Sequence, residues 1–154
     1  MNITIKRQSD NGRVIDGSLI INGTKVCDTA ENAGSAIGAG TYNISIHHCK
    51  QYGRRMPMVE IESCDLLKDD ECSLCDCLEH VCYNTDLPSF CPMLKPGTGA
   101  YNRTDGSILL GEYIAPGCLK HPLKHFDNVF DRIRKVIGRG NECTLTVEDV
   151  QPPL

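Results

Sequence analysis

The sequence predicts one mainly β domain, of the β-rich α+β class, over residues 1–154, with a single helix packed near its C-terminus. Segments in which apolar and polar residues alternate recur along the chain, and this period of two is typical of half-buried strands. One segment, which begins near Pro122, has apolar residues at helical spacing instead. The length suits one domain, and a hydrophobic content of 40% is ordinary for a globular chain with its own core.

The first strands are predicted from alternation and from one turn. Residues 3–5 and 19–21 alternate, and a β-branched stretch surrounds Val26. Asn22 and Gly23 lie between the second and third of these segments, and this dipeptide is typical of a type I′ hairpin, in which both central residues need positive φ. The chain is therefore expected to open with antiparallel strands.

Four later segments also have strand character. Residues 41–46 alternate after a small, Gly-rich stretch at 31–39, which is interpreted as a loop. Residues 58–61, 108–110 and 143–147 are short apolar or alternating runs. They extend the predicted sheet along the rest of the chain.

The predicted helix begins near Pro122 and ends at Gly138, which is expected to cap it. Basic residues in its last turn agree with the helix dipole. One stripe carries the apolar side chains of Leu123, Phe126, Val129, Phe130, Ile133, Val136 and Ile137. We expect the helix to pack on the sheet through four of them, Leu123, Phe126, Phe130 and Ile133.

Residues at about 62–92 are predicted to form an acidic, Cys-rich insertion, because they lack a periodic pattern. Their thiols could be free, joined in disulfides or shared by a structural zinc ion, and the spacing leaves these alternatives open. Because so few apolar residues anchor the insertion, we expect a disulfide or a zinc ion to join at least two of its cysteines: Cys64, Cys72, Cys75, Cys77, Cys82 and Cys91. The other four, expected to be structural, are Cys27, Cys49, Cys118 and Cys143.

The run from Lys95 to Glu112 contains the candidate catalytic chemistry. A loop rich in Gly, Asn and Asp places Ser107 between Gly106 and an apolar run, which is how folds present a nucleophile beside backbone N–H donors. Lys95 is a candidate general base, because a lysine with a lowered pKa can accept the hydroxyl proton in a Ser–Lys pair. His48, at the end of a predicted strand, is a second candidate for the base.

Several motifs occur in the order found in a known family. Residues 95–97 (Lys-Pro-Gly) take the place of a His-Pro-Gly element, and residues 106–112 (Gly-Ser-Ile-Leu-Leu-Gly-Glu) that of a Gly-Cys-Ile-Leu-Val-Gly-Glu element. Residues 36–42 are similar to an Ile-Pro-Ala-Gly-Thr-Tyr element. Outside residues 62–92, the chain therefore resembles a small uncharacterised bacterial and phage family that itself resembles a shortened L,D-transpeptidase (YkuD-type) domain. The resemblance implies an L,D-transpeptidase-like barrel or sandwich.

The resemblance also implies that both catalytic residues are replaced. Lys95 stands where the family has histidine, and Ser107 where it has cysteine. A thiolate is more nucleophilic than a hydroxyl, and a histidine titrates near neutral pH, so losing both favours a non-catalytic or vestigial domain. Such a domain would bind a cell-wall (peptidoglycan-like) or protein partner in a phage or mobile-element setting. The ligand-binding loop would include Gly97, Asn102, Asp105 and Gly106.

Two alternative functions remain open. One is a Ser–Lys hydrolase or acyl transferase that acts on cell-wall peptide or amide bonds through Ser107 and Lys95. The other is an interaction module organised by a structural zinc ion in the insertion. The sequence does not indicate an oligomeric state.

Charge and hydropathy exclude some classes of partner. The net charge of −4 disfavours nucleic acid, and no apolar stretch reaches the length that spans a membrane. The first residues alternate like a strand and lack the pattern of a secretory signal. The expected location is therefore the cytoplasm by default, with non-classical or phage-mediated release as the alternative.

Overall fold

The computed structural model describes residues 1–49, 52–61 and 92–151, and these ranges contain nine strands and one helix. In chain order the elements are β1 (Asn2–Asp10), β2 (Val14–Ile21), β3 (Thr24–Asn32), β4 (Gly40–Cys49), β5 (Arg54–Val59), β6 (Leu94–Pro96), β7 (Ile108–Ala115), β8 (Cys118–Lys120), α1 (Pro122–Gly138) and β9 (Thr144–Glu148). The predicted mainly β class with one C-terminal helix is confirmed. No helix in the described ranges is both long and apolar enough to cross a membrane.

The strands form one barrel-like sheet that is nearly closed. Their order is β5-β4-β9-β1-β2-β3-β7-β6, and β8 pairs with β7. The β1–β9 and β6–β7 pairs are parallel, and the other pairs are antiparallel. The two ends of this order meet, because Met58 bridges Met93 and the Val59 N–H donates to the Pro92 carbonyl at 2.9 Å. The chain therefore leaves and re-enters the sheet at neighbouring points on either side of the predicted insertion.

Local turn chemistry agrees with the sequence. Asn22 and Gly23 connect β2 to β3 and have φ of 52° and 79°, so the predicted hairpin is confirmed. At the end of α1 the outcome differs. The helix runs through Gly138, and the glycine with positive φ is Gly140, at 80°. The predicted cap is therefore displaced by two residues, because the chain turns after Arg139.

The main core lies between the inner face of the sheet and α1. Phe126 and Phe130 stack with ring centroids 5.6 Å apart, and the guanidinium of Arg54 lies 5.3 Å from each centroid. Of the four predicted packing residues of α1, Phe126, Phe130 and Ile133 are buried, but Leu123 is 60% exposed. The prediction for Leu123 is wrong, since this residue lies in the first turn of α1 and the buried face of the helix begins at Phe126.

The helix is also tied to the sheet by a polar contact. Glu112 on β7 and the ring of His125 on α1 lie 2.8 Å apart. This hydrogen bond from His125 lowers the pKa of the Glu112 carboxyl. The contact fixes α1 beside the strand that follows the candidate serine.

A second, smaller apolar cluster lies on the outer face of the sheet. Leu109 points into it, whereas its neighbours Ile108 and Leu110 belong to the main core. The β7–β8 hairpin folds over this face, and Gly117 at its turn donates its N–H to Asp16 at 2.9 Å. The five members of the outer cluster are Val14, Ala30, Ala100, Leu109 and Leu119.

Gly117 is a required glycine in this hairpin. Its φ is +73°, and an added Cβ would lie 2.8 Å from Cγ1 of Val14 and 2.9 Å from the ring of Tyr101. A larger residue would therefore be strained and would push the hairpin off the outer face. The close approach also brings the loop that carries Tyr101 against the sheet.

Replacing Phe130 by Ala is expected to lower the free energy of unfolding by about 3–5 kcal/mol, because it removes a buried ring that stacks on Phe126. Leu123→Ala on the same helix is the matched control, and we expect a change below about 0.5 kcal/mol because the side chain is exposed. Urea denaturation of both variants measures the difference. Equal midpoints for the two variants would contradict the placement of α1 on the sheet.

Candidate functional site

The register of β6 and β7 brings the two candidate catalytic residues to neighbouring positions. Leu94 pairs with Ile108, and Lys95 pairs with Leu109. Because paired residues of adjacent strands point to the same face, Lys95 shares the face of Leu109, and Ser107 directly precedes β7. The face of Leu109 is the outer face, under the loop between the two strands.

Asp105 links the two residues. One carboxylate oxygen, Oδ2, lies 2.5 Å from Nζ of Lys95, and the other, Oδ1, accepts the backbone N–H of Ser107 at 3.0 Å. Gly106 between them has a φ of +81°, which glycine adopts without steric cost. The short turn at 105–107 therefore places one carboxylate against both the lysine and the serine.

The lysine of this pair is deeply buried. The side chain of Lys95 is 2% exposed, whereas that of Asp105 is 22% exposed. The ring of Tyr52, from the turn between β4 and β5, lies 5.7 Å from Nζ, within the range of a cation–π contact. The ammonium is thus held between a carboxylate and an aromatic face, which compensates part of the cost of removing it from water.

Ser107 is equally inaccessible. It is 2% exposed, and its Oγ accepts the backbone N–H of Met93 at 3.3 Å. Met93 also bridges to Met58 at the seam where the sheet closes. The hydroxyl therefore takes part in the structure of the seam.

The predicted ligand-binding loop is mostly internal. Gly97 is buried, and a Cβ there would lie 2.8 Å from Cδ2 of Leu109. Gly106 is buried as well, and Asp105 is engaged by Lys95. Only Asn102, of the four predicted loop residues, is exposed to solvent.

Several contacts anchor Tyr101, the neighbour of Asn102. The hydroxyl of Tyr101 donates to the Pro116 carbonyl at 3.0 Å, and the guanidinium of Arg13 lies 4.9 Å from the centre of the Tyr101 ring. The amide nitrogen of Asn32 donates to the carbonyl of Tyr101 at 2.9 Å. These contacts tie the loop to its surroundings while 38% of Tyr101 stays exposed.

His48 does not join this group. It lies on β4 in register with Arg55, its side chain is exposed, and it forms no hydrogen bond or ion pair with Lys95, Asp105 or Ser107. The structure therefore brings together Lys95 and Ser107 of the three predicted catalytic residues.

Sequence reasoning missed the role of Asp105. It assigned this residue to a ligand loop, whereas the carboxylate is the partner of Lys95. The available signal was an acidic residue two positions before Ser107, where an Asx-type turn can form. Tyr52 carried no such signal, because its contact with Lys95 depends on the closure of the sheet.

The ion pair limits what the arrangement can do chemically. A lysine accepts a proton only through the lone pair of its neutral amine, and an ammonium has three donors and no acceptor. Nζ of Lys95 faces the Asp105 carboxylate at 2.5 Å, and the side chain that carries it is 2% exposed. The geometry is therefore that of a buried structural ion pair beside an occupied serine hydroxyl.

The cysteines divide into two groups. The six of the predicted insertion, Cys64, Cys72, Cys75, Cys77, Cys82 and Cys91, lie outside the described residues. Of the others, Cys27 and Cys143 are buried and free, Cys118 is half-buried and free, and Cys49 is buried. Burial raises the pKa of the Cys27 thiol to about 12, which makes it unreactive. In the ranges 1–49, 52–61 and 92–151, no group of three or more His, Cys, Asp or Glu side chains could hold a metal ion.

Comparison of the chain with protein-family models, with curated proteins and with solved structures gave no match. The function is therefore argued from the geometry of Lys95, Asp105 and Ser107 and from the surface beside them.

Replacing Asp105 by Asn is expected to lower the free energy of unfolding by about 3 kcal/mol, because it leaves the Lys95 ammonium buried without a counter-charge. The double variant Lys95→Met with Asp105→Asn removes both charges and should recover at least half of that loss. Chemical denaturation of the two variants and of Lys95→Met completes a double-mutant cycle. If the losses of unfolding free energy in the two single variants simply add in the double variant, the ion pair is contradicted.

The six cysteines of the insertion are expected to include at least two that are joined in a disulfide or that share a zinc ion. Intact mass with and without thiol alkylation, measured beside a zinc assay on the native protein, separates these cases. Cys27 and Cys118 provide internal references for a buried and a half-buried free thiol. Six fully alkylated thiols without bound metal would refute the prediction.

Proposed function

We propose that this protein is a non-catalytic, L,D-transpeptidase-like domain that binds a peptidoglycan-like cell-wall partner through the surface around Asn102. The observation that carries the proposal is the buried ion pair of Lys95 and Asp105 beside Ser107. The ion pair supports the loss of catalysis, and the exposed loop that contains Asn102 supports binding.

Two features of the site disfavour catalysis. A serine nucleophile must transfer its proton to a base, and Nζ of Lys95 is already engaged by the Asp105 carboxylate at 2.5 Å. The substrate must also come within about 3–3.5 Å of the nucleophile. Ser107 is 2% exposed, so in this conformation a carbonyl carbon has no path to its Oγ.

Anchoring contacts and exposure at the same loop support binding. Tyr101 and Asn102 are exposed, and the first is fixed by hydrogen bonds of its hydroxyl and of its carbonyl. A surface that is already ordered loses little conformational entropy on binding. Tyrosine and asparagine side chains supply the flat apolar face and the paired donor and acceptor that suit a sugar–peptide polymer.

Cosedimentation with purified peptidoglycan sacculi tests this proposal. We expect the full chain to pellet with the sacculi, and we expect Asn102→Ala combined with Arg13→Ala to reduce its affinity about fivefold. Asn128→Ala, an exposed asparagine on α1, is the matched control and should pellet like the wild type. Failure of the wild-type protein to pellet would reject the cell-wall partner and favour a protein partner.

A Ser–Lys hydrolase or acyl transferase is the second candidate, and one observation favours it. Lys95 and Ser107 both contact the Asp105 carboxylate, so a nucleophile and a candidate base lie in one cluster. Incubation with a fluorophosphonate or a β-lactam, followed by intact mass, distinguishes the two functions. We expect no adduct. An adduct that Ser107→Ala abolishes and Lys95→Ala slows would overturn the non-catalytic proposal.

A further inference from the structure

The C-terminal half of α1 borders a groove of about 390 Å³ that the proposed function does not use. Arg132, Lys135 and Arg139 are lining residues, and their spacing of three and four places them on one side of the helix. Ile21 at the end of β2 and the turn residue Asn22 also line the groove. The groove therefore has a basic rim along one side.

The positive charge of this rim is only partly compensated. Lys135 contacts Asp131 at 2.9 Å, but Arg132 and Arg139 form no ion pair with any residue in the described ranges. Both arginines are exposed. Two guanidinium groups are thus free to bind carboxylates, for which their planar donors are well suited.

The floor of the groove is apolar. Ile21 is 2% exposed, and Val136 is half-buried and lies between the basic residues of the helix. The combination of a recessed apolar floor and a basic rim is suited to a peptide that inserts one apolar side chain between acidic residues.

The same features argue against a lipid bilayer and against single-stranded nucleic acid as the partner. A bilayer needs apolar side chains that protrude, and the exposed large apolar side chains of the described residues all lie outside the groove: Tyr101, Tyr113, Ile114, Leu123 and Val150. Single-stranded nucleic acid is bound by stacking on aromatic side chains, and none lines this groove.

We propose that this groove is a docking site for an acidic peptide segment of a partner protein that carries an apolar residue between its carboxylates. The site is separate from the surface around Asn102. The loop that carries Asn102 packs near Val14, the first residue of β2. Ile21, which lines the groove, is the last residue of the same strand. Along these eight strand residues, Val14 and Ile21 are about 23 Å apart. The two sites can therefore be tested independently.

Fluorescence anisotropy of the full chain with a fluorescein-labelled glutamate peptide that has one central leucine tests the proposal. We expect Arg132→Glu combined with Arg139→Glu to weaken binding about tenfold. Lys120→Glu combined with Lys124→Glu makes the same change in net charge outside the groove and should leave the affinity within about twofold. Replacing the central leucine of the peptide by serine should weaken binding about fivefold, because the apolar floor loses its partner.

Four results would overturn the proposal. The first is that the wild-type chain does not bind the peptide, and the second is that the two charge-reversal variants lose the same affinity. The third is equal affinity for the leucine and serine peptides. The fourth is stronger binding of a single-stranded oligonucleotide or of phosphatidylglycerol vesicles, with the same dependence on Arg132 and Arg139. Asn102→Ala with Arg13→Ala should bind the peptide like the wild type, so failure at one site is distinguishable from failure at the other.

Discussion

The backbone pairing between the end of β5 and residues 92–93 closes the sheet, and the arrangement at the candidate site depends on it. Met93 is the common point, because it bridges to Met58 and also donates its N–H to the hydroxyl of Ser107. Lys95 follows two residues later and pairs with Leu109 of β7. The closing hydrogen bonds therefore determine where the ammonium of Lys95 meets Asp105 and Tyr52.

A buried charge is tolerated only where its surroundings compensate for the loss of water, as at two ion pairs in the described part of the chain. Arg7 and Glu31 form a buried pair with two hydrogen bonds of 2.8 and 3.0 Å, and the carbonyl of Ile37 accepts a third from the guanidinium at 2.6 Å. Lys95 has one carboxylate and one aromatic ring. The second pair has fewer partners, so it is the more sensitive to any change in its carboxylate.

The sequence predicted features that depend on neighbouring residues, and missed those that depend on distant ones. Asn22-Gly23 specifies a turn by its own φ preferences, and the spacing of Phe126 and Phe130 specifies a helical face. Leu123 has the same spacing but is exposed in the first turn of α1, which local spacing does not reveal. The resemblance placed Lys95 and Ser107 at one site, but their contacts with Asp105 and Met93 arise from the register of strands, which periodicity does not encode.

The adjacency of Val59 and Pro92 has a consequence for how this fold can diversify. The Val59 nitrogen and the Pro92 carbonyl oxygen are 2.9 Å apart, and this hydrogen bond fixes both ends of any segment that connects the two residues. Each doubling of a flexible connection costs only about 0.6 kcal/mol in closure entropy. The same strand order is therefore compatible with a shorter or longer segment between these two positions.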